Sequence, residues 1–338
     1  MSTGYVYHPI YLKHNTGAHP ERSERLIAIL DLLKKRNVLD RLVKINAERA
    51  SIKEIEYNHD PAYIKHVQAV SEREGALDLD TPVSKDSFDA ALYAAGGLIG
   101  AVDQVISKNV TNAFALVRPP GHHAEYAKGM GFCLFNNVAI AARHLKLHHG
   151  LQRILIIDWD VHHGNGTEHS FYDDPSVLYF SIHQYPHYPG TGRIDDIGSG
   201  EGEGFTVNVP LPPGVGDKGY LEVMNEVLLP IATEFNPEFI LISSGSDLHK
   251  LDPLGGMNVT SPAFGKFTDI VREIGDGVVV TLEGGYDLTG LSESVLAIFG
   301  SLAGIEVDTG EMALDRSERD VADVISNVKK VQRSYWNI

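Results

Sequence analysis

Five short apolar runs recur along the chain, at 113–117 (AFALV), 153–158 (RILIID), 177–182 (VLYFSI), 238–243 (EFILIS) and 277–282 (GVVVTL). They lack the strict apolar–polar alternation of a half-exposed strand. Continuous Val/Ile/Leu runs of this length predict strands covered on both faces. A sixth run, 205–209 (FTVNV), reads the same way. Between the runs the period changes. Within 21–36, Leu26, Ile29, Leu30 and Leu33 fall three and four apart, which predicts a helix. Segments 87–106, 137–147 and 219–234 are also read as helices, with 287–303 and 317–333 closing the chain. Strand and helix in alternation imply an α/β fold: a mainly parallel sheet flanked by helices on both faces, joined by right-handed crossovers.

A chain of 338 residues is long for one domain. No Pro/Ser-rich linker or repeat divides it, so residues 1–338 are expected to form a single domain. The glycine-rich stretch 198–204 carries two glutamates and no lysine and precedes a strand-like run, so it is read as a loop rather than a phosphate cradle. Acidic residues outnumber basic ones 45 to 29, a net charge of −16. That balance argues against direct nucleic-acid binding, which needs Lys and Arg, and suits cationic partners. The one cysteine, Cys133, permits neither a disulfide nor a thiolate metal site. The opening residues lack an apolar core behind a basic flank, so no secretory leader is expected. No run approaches 18 apolar residues, so no membrane span is expected either. The expected location is cytoplasmic.

Four runs end in chemically capable residues. The first leads into Arg118-Pro119-Pro120-Gly121-His122-His123, the second into Asp158-Trp159-Asp160-Val161-His162-His163-Gly164-Asn165. The run at 238–243 leads into Ser246 and Asp247, and that at 277–282 into Glu283-Gly284-Gly285-Tyr286. In open α/β sheets, sites form outside the carboxyl ends of strands. Asp160 and His162, two apart in extended backbone, point to one side. With Asp247 they make three ligands for one metal and leave a position open, the mark of a catalytic zinc site. An isolated Asp-x-His is more often a hydrogen-bonding arrangement. Taken singly, His122 and His123 read equally well as exposed loop residues, and Tyr286 as a packing aromatic. The tandem pair His148-His149, before Gly150, is read as a helix C-terminus.

Taken in order, RPPGHHA (118–124), GFCLFN (131–136), DWDVHHGNGT (158–167), HYPGTG (187–192), SDLHKLDPLGG (246–256) and LEGGYD (282–287) resemble the zinc-dependent histone deacetylases. The match is closer to the class II and microbial class II-like branch, which includes acetylpolyamine amidohydrolases and acetoin utilisation-type proteins. The resemblance implies the arginase/deacetylase fold and Zn2+ held by Asp160, His162 and Asp247. It implies catalytic roles for His122, His123 and Tyr286, with Asp158 and Asn165 behind the two histidines. It places Gly131, Phe132, Tyr188 and Leu254 along an acyl-lysine channel, and a structural K+ near Asp158, Asp160, His162, Ser181 and Ile182. Tyr188, Ser244, Ser246 and Ser23 depart from common family residues without removing a catalytic group.

The implied reaction is hydrolysis of an acetyl or other acyl amide. The substrate is an acetylated lysine in a peptide or protein, or alternatively an acetylated polyamine or other small N-acetyl amine. A two-metal arginase-like hydrolase would need more bridging ligands. A non-catalytic acyl-lysine-binding scaffold would be expected to have lost at least one of the residues above. No G-x-S-x-G elbow supports a serine hydrolase. Oligomeric state is left open.

Overall fold

In the computed structural model, which describes residues 2–310 and 319–338, one sheet organises the chain. Its strands are β1 (Thr3–Val6), β2 (Val43–Ile45), β3 (Asn112–Ala115), β4 (Ile154–Asp158), β5 (Val177–Gln184), β6 (Thr206–Leu211), β7 (Phe239–Ser244) and β8 (Val278–Leu282). The order is β2-β1-β3-β8-β7-β4-β5-β6, and every pairing is parallel. All residues of β4, β5, β7 and β8 are buried, as unbroken apolar runs require when helices cover both faces.

The helices are α1 (Glu24–Lys35), α2 (Ile52–Ile55), α3 (Pro61–Glu72), α4 (Ser87–Ile106), α5 (Asn137–His149) and α6 (Asn165–Ser170). Then come α7 (Asp217–Val223), α8 (Leu229–Phe235), α9 (Ser261–Ile274), α10 (Leu288–Ala303) and α11 (Ala322–Gln332). A π-helical turn, Met224–Leu228, joins α7 to α8. It precedes Pro230, which has no N–H for the carbonyl four residues back. The helix expected at 219–234 is therefore this composite. The closing helix expected at 317–333 starts later, at Ala322, and its first two residues lie outside the described residues.

Two strands escaped the sequence reading. β1 and β2 are four and three residues long, and β1 contains Gly4. A Cβ on Gly4 would lie 2.5 Å from Ile45 Cδ1, so the Ile45 side chain fills the space left by the missing one. Helices α3 and α9 were also missed. Each opens with a readable signal: Asp60 caps α3 ahead of Pro61, and Pro262 sits in the first turn of α9.

The four strands that end in polar clusters, β3, β8, β7 and β4, are consecutive neighbours in the sheet. Their register aligns Asp158 with Ser243 and Ser243 with Thr281. The residues that follow them therefore emerge side by side at one edge.

Candidate metal centre and acyl pocket

At that edge Asp160, His162 and Asp247 meet. His162 Nδ1 lies 3.0 Å from Asp160 Oδ1 and 3.1 Å from Asp247 Oδ2. One ligand atom from each residue falls within 4.8 Å of the others, and all three side chains are buried. Glycines make the approach possible. A Cβ at Gly284 would stand 2.1 Å from Asp247 Oδ2, and one at Gly245 2.1 Å from Asp160 Oδ2. The Gly284 N–H donates to Asp160 Oδ2 at 2.8 Å.

The electrostatics call for a cation. Burial disfavours charge on His162, yet the facing carboxylates outweigh it and push the imidazole up to about 10. Burial and the neighbouring Asp160 push Asp247 up to about 7. Two carboxylates crowded round one imidazole nitrogen, with Nδ1 aimed between them, fit a dication of zinc type.

Beside this centre stand the tandem histidines, their ring centroids 3.9 Å apart. His122 Nδ1 meets Asp158 Oδ2 at 3.0 Å, and His123 Nδ1 meets Asn165 Oδ1 at 2.8 Å. Burial opposes charge on His122, but Asp158 and Asp160 prevail and push it up to about 10. His123 goes the other way: burial, then the neighbouring His122 and His162, hold it well below the usual histidine range. A near-ordinary His123 is the natural expectation from a neutral Asn partner, and burial overrides it. Tyr286 is pushed well above the ordinary tyrosine value by burial and by Asp247, so its hydroxyl keeps its proton.

A cavity of about 240 Å³ opens onto the centre, lined by Gly131, Phe132, Tyr188, Leu254, His123, His162 and Tyr286 together with Asp80 and His187. Gly131 and Phe132 both adopt left-handed backbone, φ +56° and +69°. For phenylalanine that costs about 1–3 kcal/mol and marks a residue held by its surroundings. The Phe132 N–H is anchored on Thr81 Oγ1 at 3.1 Å, and its ring meets Tyr286 edge-on at 5.7 Å. A Cβ at Gly131 would stand 2.5 Å from His123 Cδ2 and 3.1 Å from Tyr188 Cε1, so that glycine lets the wall close. Ser181 and Ile182 lie buried on β5, with Ser181 in register with Asp158. Ser181 Oγ is bonded to His183 Nδ1 at 2.9 Å.

Several supporting residues were given no role by the sequence, although Glu283, His187, Asp252 and Asp287 lie within its motifs. Buried Glu283 accepts the N–H groups of Gly121 and His122 at 2.7 and 3.2 Å, fixing the loop that bears both histidines. Arg25, from α1, donates to the carbonyls of Gly285 and Glu283 and stands over the Tyr286 ring at 5.0 Å. Asp252 Oδ2 accepts from Tyr286 N at 2.6 Å, and Asp287 caps α10 immediately after it. His187 stacks on His162 at 4.9 Å and bonds the Leu254 carbonyl at 2.9 Å.

Among the described residues, two other groups have metal-type side chains. In one, Asp103 Oδ1 takes Nε2 of His144 and of His149 at 2.8 and 2.7 Å. His144 Nδ1 is buried and finds no partner among the described residues. A metal on Nε2 would move a proton to that unpaired nitrogen, against the usual support of ligating histidines, so the group reads as hydrogen-bonded. In the other, His122 faces Cys133, whose thiol burial pushes well up, away from thiolate.

A histone deacetylase domain profile matches residues 19–302. Among curated proteins, a probable deacetylase of Archaeoglobus fulgidus is 41% identical, covering 99% of both chains. Histone deacetylase 14, chloroplastic, of Arabidopsis thaliana is 40% identical over 95% of this chain and 82% of its own. The human polyamine deacetylase HDAC10 is 39% identical over 99% of this chain, which spans 53% of that protein. Among solved structures, the HDA15 HD domain superposes with a TM-score of 0.93 at 37% identity, covering 99% of this chain and 97% of that one.

Proposed function

The chain belongs to the histone deacetylase family and is a hydrolytic deacetylase, and from that premise we propose that residues 1–338 form one catalytic domain that removes acetyl groups from lysine side chains of peptides or proteins. The observation that carries this reading is the 240 Å³ cavity between Phe132 and Tyr188, leading to Asp160, His162 and Asp247. Its size suits one slender side chain rather than a drug-sized ligand.

Asp160, His162 and Asp247 hold Zn2+, which when bound supplies Lewis acidity to the site. Phe132 and Tyr188 flank the acyl chain, with Gly131 behind them and Leu254 at the mouth. Tyr286 donates its hydroxyl to the carbonyl oxygen and to the oxyanion that develops there. His123, kept neutral and lining the pocket, takes a proton from the attacking water. His123 then gives that proton to the nitrogen of the leaving amine as the amide C–N bond breaks, while His122, charged against Asp158, lends positive field beside it. Asp158, Asp160, His162, Ser181 and Ile182, all buried, the first three at or just beyond the end of β4 and the last two within β5, are the proposed holders of K+. The proposed location is the cytoplasm; among the described residues no helix is long and apolar enough to cross a membrane.

One observation favours a second substrate. Asp80 lines the pocket, a carboxylate placed to meet the distal ammonium of an acetylated polyamine. The test is hydrolysis of an acetyl-lysine peptide and of N-acetylputrescine in parallel, with chelator and with zinc restored. Peptide turnover that vanishes with chelator and returns with zinc supports the proposal. Faster N-acetylputrescine turnover, lost in Asp80→Asn, supports the polyamine reading instead.

A further inference from the structure

Asn165 poses a problem of orientation. A carboxamide has one accepting oxygen and one donating nitrogen of nearly the same shape. Nothing within the side chain decides which of them faces His123. Presented the wrong way round, the nitrogen would make His123 Nδ1 an acceptor and move the ring proton to Nε2. His123 would then have no lone pair to offer the water.

The surroundings decide it. Asn165 Nδ2 lies 2.5 Å from Glu125 Oε1, 3.4 Å from the His123 carbonyl and 3.7 Å from Met130 Sδ. All three accept. An ionised carboxylate cannot do otherwise, so the amide nitrogen must face it. The oxygen is left for His123 Nδ1, which must carry the proton, and Nε2 keeps its lone pair.

Glu125 is held in turn. His169 Nδ1 donates to both its oxygens, at 2.9 Å each, and the Glu125 N–H bonds the Lys128 carbonyl at 2.9 Å. Asn165 and His169 stand four apart on α6 and share one face of it. The short helix thus grips one carboxylate between its first and last turns. The series His123, Asn165, Glu125, His169 runs from the pocket to a half-exposed ring at the surface.

We propose that Glu125 is a positioning residue for deacetylation: it orients the Asn165 amide and thereby sets the His123 tautomer, while His169 holds the carboxylate in place. This rests on the role of His123 proposed above.

The test is a double-mutant cycle. Glu125→Gln keeps the shape but can donate, which frees the amide to turn. It is expected to lower kcat roughly 10- to 100-fold, the usual effect of losing an outer support, with KM and zinc content unchanged. Asn165→Asp presents an accepting oxygen to His123 either way round but sets its other oxygen against Glu125, so adding Glu125→Gln to it is expected to bring no further loss and to recover activity by relieving that repulsion. An equal loss in both backgrounds, or none in the wild type, overturns the proposal. The ring 15N shifts of His123 supply a second readout that needs no turnover. Wild type is expected to show the Nδ1–H form, and Glu125→Gln a mixture. An Nε2–H wild type, or an unmixed Nδ1–H variant, also overturns it. A wild type that fails to hydrolyse acetyl-lysine would instead sink the proposed function, and the spectra would still decide the tautomer.

Discussion

Replacing Tyr286 by phenylalanine deletes one hydroxyl and leaves the surroundings of the ring intact. The edge contact with Phe132, the Arg25 guanidinium over the ring and the main-chain bond to Asp252 do not involve that oxygen. Stability should therefore change by no more than about 0.5 kcal/mol, the range of substitutions that break no packing or network. The chemistry should change far more. The hydroxyl keeps its proton because burial and Asp247 push its pKa well above the ordinary value, so it reaches the reaction as a donor. Losing such a donor from a preorganised site costs about 2.7–4 kcal/mol, or roughly 100- to 1,000-fold in kcat. The assay is steady-state hydrolysis of an acetyl-lysine peptide, with a melting curve and zinc content on the same samples. KM should barely move, because the bond strengthens as the oxyanion forms. A variant within a few-fold of wild-type kcat, folded and zinc-loaded, would refute the assignment.

Gly284→Ala should eject a carboxylate, since the new Cβ would stand 2.1 Å from Asp247 Oδ2 and 2.6 Å from Asp160 Oδ2; equilibrium dialysis should show weakened zinc retention, and wild-type retention would contradict the cradle. Asp247→Ala removes one of three ligands and should abolish both bound zinc, measured by elemental analysis, and hydrolysis. In chelated protein, melting temperature should fall as pH rises from about 6.5 to 10. The His122 contribution is complete below the unfolded histidine value near 6.5 and is lost as pH passes its folded value of about 10. Buried Glu283, raised to about 7, acts with the same sign, its share being lost as pH climbs from about 4.5 through 7. A flat or rising curve from about 6.5 to 10 would contradict the His122 assignment, and one from about 4.5 to 7 that of Glu283.

The middle of the sheet was legible because β4, β5, β7 and β8 are covered on both faces and so need unbroken apolar runs. The site was legible for a related reason: parallel strands discharge their following residues at one edge, and a cluster after each run could be placed there before any contact was known. β1 was not legible, since TGYV earns its place only by packing beside β2 and β3. Phe132 shows a second limit. Its left-handed backbone is imposed by Thr81 and by rings distant in sequence, and no local propensity points to it. Glu125, Glu283 and Arg25 show a third. Each acts by bonding main chain or a side chain whose position is set only once the fold has formed. α3 and α9 are different: the Asp60-Pro61 and Ser261-Pro262 openings were there to be read.

The glycines round the proposed metal ligands divide the molecule by how freely it can drift. At Gly245, Gly284 and Gly164 an added methyl group would collide with Asp160, Asp247 or Asp158 at 2.1–2.2 Å, so descendants of this gene have almost no room to vary there. The mouth of the pocket is under no such restraint. Leu79 is fully exposed beside Asp80, while Tyr188 and Leu251 are also open to solvent. Leu79 can be exchanged without disturbing a ligand, whereas Tyr188 packs edge-on against His162 and has less freedom. Lineages sharing this hydrolytic centre are thus free to part company over which amine they admit, and a laboratory seeking a new substrate should randomise that rim and leave the strand ends alone.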